Sequence, residues 1–150
     1  MKKLLSLLLA AVILLFCGCG SNENEFEATY LKTGYDSDTA YPVISVLHST
    51  EERDACAAEA NHEKVTEALS AYDEEFFSSK VLFVLNISMA SGGYNYIVEK
   101  VYGTEEGLTF QLKQTTEGPT TADMSGMTIL VEMDKSWDCA PENITIEKQG

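Results

Sequence analysis

Lys80-Val81-Leu82-Phe83-Val84-Leu85 is the stretch that decides the fold. A strand with one wet face alternates apolar and polar residues. Five apolar residues in succession after Lys80 instead read as a central strand, covered on both faces. Downstream, Leu108, Phe110 and Leu112 alternate with Thr109, Gln111 and Lys113 as a half-buried strand should. Further strands are expected at 94–102, 128–133 and 144–147, and upstream at 26–32 and 41–47, where Pro42 sits near a strand start that tolerates its missing N–H. Turn residues separate them at Gly34-Tyr35-Asp36-Ser37-Asp38, Ser91-Gly92-Gly93 and Gly103-Thr104-Glu105-Glu106-Gly107, and over the longer stretch from Glu117 to Gly126.

Between the second and third of these strands the period changes. Ser49-Thr50-Glu51-Glu52 has the form of a capping box, with Ser49 as cap and Glu52 reaching back. A short helix should follow, through Ala60. Val65, Ala68, Leu69 and Tyr72 fall at i, i+3, i+4 and i+7, one face of a second helix, with Asn61 as the break between the two. Asp73 can cap a last turn that directs Phe76 and Phe77 inward. The expected architecture is mainly β (α+β): an antiparallel sandwich or open barrel of about seven strands, with two short helices inserted after the second strand.

The first residues carry an address. Lys2 and Lys3 precede an apolar run from Leu4 to Phe16, interrupted only by Ser6, which matches a secretory signal and is too short for a membrane span of about 20 residues. The junction Phe16-Cys17-Gly18-Cys19 resembles the lipobox of bacterial lipoprotein signal peptides, with Gly18 ahead of Cys19 and Phe16 where Leu is usual. That resemblance implies cleavage after Gly18, so that residues 1–18 are the signal. It also implies lipidation of Cys19, with residues 19–25 as a short polar tether and 26–150 as a single β-rich domain. Two or more acyl chains suffice for stable anchoring. A flexible tether of this length holds the domain about 13 Å from the membrane. The expected location is the cell membrane, lipid-anchored on its extracytoplasmic face.

Charge narrows the partners. The chain has 24 acidic and 10 basic side chains, and loss of Lys2 and Lys3 takes the net charge from −14 to about −16. Phosphate backbones and anionic headgroups repel such a surface, so nucleic acid is not an expected partner and membrane contact is expected through the lipid alone.

The residues that could carry chemistry are few. Cys56 and Cys139 remain after Cys17 and Cys19 are accounted for, and they are the candidate disulfide pair in an oxidising compartment. No CxxC pair exists, and His48 and His62 lack a ligand spacing, so no metal or cofactor is expected. Asp36-Ser37-Asp38 lacks the glycine and distal glutamate of a calcium loop and reads as a capped turn. No HExxH, GxSxG or phosphate-binding glycine loop is present. Cys56 with His48 is the one thiol and imidazole combination, but Cys56 lies among alanines, where a buried small side chain is expected. Gly92-Gly93 reads as a hairpin turn that needs positive φ.

One family resemblance rests on a series of segments. Tyr72-Asp73-Glu74-Glu75-Phe76-Phe77, the strand from Lys80 to Leu85, Ser91-Gly92-Gly93-Tyr94, and Thr121-Ala122-Asp123-Met124 ahead of Ile129-Leu130-Val131-Glu132-Met133 together resemble small exported bacterial lipoproteins distantly related to the PrcB-like domain. Ser91 stands where that family tends to have Thr. The resemblance covers roughly the last half of the chain and supplies no catalytic residues. It implies association with a protease complex.

The expected function is therefore a non-catalytic binding module that presents two loops to an envelope protein, a protease being one class. The residues expected to contact it are Ser91, Gly92, Gly93 and Tyr94 in one loop and Thr121, Asp123 and Met124 in the other. The alternatives are an envelope hydrolase with an unrecognised active site, and a small-ligand binding lipoprotein.

Overall fold

The computed structural model describes residues 25–150. The signal and lipobox readings, Cys19 included, lie outside the described residues. Seven strands are found among those described: β1 (Glu27–Thr33), β2 (Val43–Leu47), β3 (Lys80–Met89), β4 (Tyr94–Thr104), β5 (Gly107–Thr116), β6 (Ser125–Asp134) and β7 (Ile144–Gln149). Three helices stand between β2 and β3: α1 (Thr50–Ala60), α2 (Glu63–Leu69) and α3 (Glu74–Ser79). The turn expected at Asp73 is thus a helix in its own right, capped by the Asp73 carboxylate accepting from Phe76 N–H at 2.9 Å.

The strands form two sheets. One has the order β1-β6-β3-β2 with every pair antiparallel; the other has the order β4-β5-β7. Within the second, β4 and β5 are antiparallel but β5 and β7 run parallel, so the expectation of antiparallel pairing throughout fails at that edge. The physical reason is the route of the chain. β6 belongs to the first sheet, and the segment after it, with two 3-10 turns at Lys135–Trp137 and Pro141–Asn143, crosses to the second and enters it in the direction of β5.

β3 explains its own unbroken apolar run. Val81, Phe83, Leu85, Ile87 and Met89 point between the sheets, where they meet Val98, Phe110, Leu112, Ile129 and Val131. Leu82 and Val84 point the other way, into a second cluster with Val65 and Leu69 from α2, Phe77 from α3 and Tyr72 from the turn between those helices. The molecule is therefore three layers: helices, first sheet, second sheet. Phe83 and Phe110 join the two sheets edge to face, with centroids 5.3 Å apart.

Strand direction sorts the connections into two ends. β1, β3, β5 and β7 all run toward the end that holds Thr33, Met89, Thr116 and Gln149. The β1–β2, β3–β4 and β5–β6 connections gather there. The start of β1 and all three helices attach at the opposite end.

Candidate functional site

The two loops singled out from sequence meet at that loop end, and Ser91 joins them. Its side chain is 2% exposed. The hydroxyl oxygen accepts from Gly93 N–H at 3.2 Å within its own turn and from Thr121 N–H at 2.7 Å in the β5–β6 loop. Thr121 Oγ1 lies 3.4 Å away as a further partner. A serine that reads as a turn residue is in fact a buried cross-loop tie.

The glycines act differently from expectation. β3 and β4 lie in different sheets, so the turn is a crossover and not a hairpin, and neither Gly92 nor Gly93 has positive φ. Gly93 is required by close approach instead, since a Cβ there would fall on the Pro119 carbonyl oxygen. Gly92 has more room, its nearest neighbours being Thr121 Oγ1 at 3.6 Å and Asp123 Oδ2 at 4.0 Å. The Gly93 carbonyl accepts from Glu117 N–H at 2.9 Å, and the Gly92 carbonyl accepts from Lys32 Nζ at 3.0 Å. Lys32 ties in the end of β1. The β1–β2 loop closes the group, with the Gly34 backbone packed against Gly126.

This produces one surface from three loops. Thr121 and Asp123 are exposed, and Met124 is 46% exposed. Tyr94 is half-buried at the start of β4. Hydrogen bonds from the Thr121 side chain and from its own backbone hold the Asp123 carboxyl below the usual carboxylate range, so it stays ionised. Tyr35, 41% exposed, stacks on Tyr41 at 5.7 Å in the neighbouring loop. Asp36 there caps its own turn, accepting from Asp38 N–H at 3.0 Å and from the Thr39 hydroxyl at 2.6 Å.

Beside the loops a cleft opens between the edge strands β1 and β4. Its walls include Tyr30, Lys32, Tyr96 and Ile97, with buried Met127 at its floor. Sequence reading missed this feature. The spacing of Ala28, Tyr30 and Lys32 places them on one strand face, but alternation alone does not say which second strand edge that face meets.

The remaining candidates are not brought together. Cys56 and Cys139 are free thiols in different clusters, Cys56 under the helices and Cys139 against the core between the sheets, so the pairing weighed from sequence is not formed. Burial, and then the Glu59 charge, pushes the Cys56 thiol up, away from a reactive thiolate. The His48 ring faces carboxylates at both nitrogens, Nδ1 with Glu52 Oε2 at 3.0 Å and Nε2 with Asp138 Oδ1 at 2.8 Å. These two residues do not form a nucleophile and base pair. No protein-family model, curated protein or solved structure matches the chain.

Proposed function

We propose that this chain is a non-catalytic binding module, lipid-anchored through Cys19 on the extracytoplasmic face, whose loop end engages another envelope protein. The observation that carries the reading is the Ser91 tie. It sets Thr121, Asp123 and Met124 in a fixed relation to the Gly92-Gly93-Tyr94 turn, and ordering exposed side chains before contact lowers the entropy lost on binding. Polarity along the chain adds support, because β1 begins at one end of the sandwich and the loops lie at the other. A tether preceding β1 would leave the loops pointing away from the membrane. The PrcB-like resemblance makes a protease the partner class to look for first.

The test is capture of partners from a membrane extract by the tagged full chain, compared with an Asp123→Ala, Met124→Ala double variant that changes only exposed side chains. A stoichiometric partner lost in the variant supports the reading. Equal recovery of that partner by both chains would refute the loop end as its site.

A further inference from the structure

β4 is an edge strand, paired with β5 on one side and meeting no strand on the other among the described residues. Its open side borders the cleft of about 290 Å³ that separates it from β1. In a β-ladder the N–H and C=O of one residue point to the same side, and successive residues alternate. The Gly93 carbonyl bonds Glu117 N–H, so Gly93 faces β5. Val98 N–H instead donates to the Tyr30 hydroxyl at 3.0 Å, on the β1 side. Alternation between these fixed points makes Tyr94, Tyr96 and Val98 face the cleft.

Tyr94 N–H is taken by the Ser91 carbonyl at 3.2 Å and Val98 N–H by Tyr30. The N–H and C=O of Tyr96 are left as a donor and acceptor pair turned toward the cleft, the unit by which a strand adds to a sheet edge. A bulge between Val98 and Lys100 ends the straight edge, so the open segment is short. Side chains set the character of what can lie there. Tyr30 and Ile97, 38% and 39% exposed, give apolar walls over Met127. Glu117 lines the cleft and Asp123 lies beside Gly92, two carboxylates against one ammonium, that of Lys32, which bonds the Gly92 carbonyl and keeps its charge. On a chain of net charge −14 this rim favours a basic partner over an acidic one.

We infer that the seam takes an extended segment of a partner polypeptide by strand addition to β4, with one aliphatic or aromatic side chain in the cleft and a lysine or arginine beside Glu117. The inference rests on the binding-module reading and names the kind of segment bound. A phage-displayed library of random dodecapeptides selected on the full chain in detergent tests it. Enriched peptides should pair a basic residue with an apolar one, and synthetic copies should bind at micromolar Kd. Tyr96→Pro, which removes the N–H facing the cleft and leaves the β5 ladder its partners, should weaken them at least tenfold, and more than Tyr96→Val does. Should Tyr96→Pro fail to fold, N-methylation of the peptide replaces it: methyl groups on one set of alternate amides should abolish binding, and those on the other set should not. No enrichment, acidic consensus sequences, or binding indifferent to both backbone changes would overturn the inference. A native partner lost on changing Asp123 and Met124, yet retained by Tyr96→Pro and not displaced by the peptides, would overturn the seam alone and leave the binding module standing.

Discussion

His48 is held in a way that only its charged form satisfies. Nδ1 and Nε2 each face a carboxylate oxygen, from Glu52 and Asp138, and a neutral imidazole has one N–H to give, so full pairing needs the imidazolium. Burial opposes that charge, but the hydrogen bonds and charges of Asp138 and Glu52 outweigh it and raise the pKa above its ordinary value. A group raised on folding contributes stability below its unfolded pKa, about 6.5, and loses it as pH climbs through the higher folded value. His48→Gln should therefore destabilise the protein more at pH 6 than at pH 8. The half-exposed ring limits the difference to about 1 kcal/mol. Urea unfolding of both chains at the two pH values checks this, and an equal loss at both would show that the imidazolium is not what is held. The two glycines of the crossover provide a second residue-scale contrast. Gly93→Ala must displace the Pro119 backbone and should cost about 1–3 kcal/mol. Gly92→Ala meets only ordinary contacts, and its melting temperature should stay within a degree or two of the parent's.

At the scale of elements, β3 was legible because its sequence is apolar at both parities, and it does lie between two layers. The face of α2 was legible from a different period, the i, i+3, i+4 spacing of its apolar residues. Val65 and Leu69 are buried on the first sheet with Ala68 packed beside them, as their spacing required, whereas Tyr72, also buried, lies past the end of α2 in the turn before α3. Asn61 ends α1 with φ of 45°, in the left-handed conformation that asparagine tolerates. Partner choice was not legible. Period-two alternation says that a strand has a wet and a dry face, but not which edges pair or in which direction, so the parallel β5 and β7 pair escaped it. Ser91 escaped for a related reason, since its partner Thr121 is 30 residues away and a hydroxyl in a glycine turn looks the same whether wet or buried. Its burial has a measurable consequence for the loop. Ser91→Ala would leave the Gly93 and Thr121 amides without their acceptor, at a cost of about 1–3 kcal/mol. Hydrogen exchange should report it as faster exchange at Thr121 than in the parent, with β3 and β6 unchanged. Uniform acceleration across both sheets would mean that the tie supports the whole sandwich and not the loop end.

For the whole molecule, charge and topology act together. Strongly acidic chains repel themselves in the folded state, and among the described residues the ion pairs that offset this are few and lie at side chains with solvent contact, as with Lys80 and Glu132 at 3.6 Å and Lys113 and Glu99 at 3.4 Å. Salt screens repulsion among 24 carboxylates more than it weakens such pairs. Thermal stability should therefore rise as sodium chloride is raised from about 10 mM to 300 mM, where the Debye length falls from about 30 Å to well under 10 Å. The same screening should act oppositely on partner binding. If the loop end and the seam take a basic segment, the attraction is between exposed charges, and its on-rate should fall over the same salt range while the dissociation rate changes little. Scanning calorimetry of the protein alone and surface-plasmon kinetics of the captured partner would separate the two trends. A melting temperature that falls with salt would show that ion pairing, not self-repulsion, dominates the fold. An association rate indifferent to salt would show that the acidic rim plays no part in recognition, and would place the binding energy in the apolar cleft and the backbone of β4.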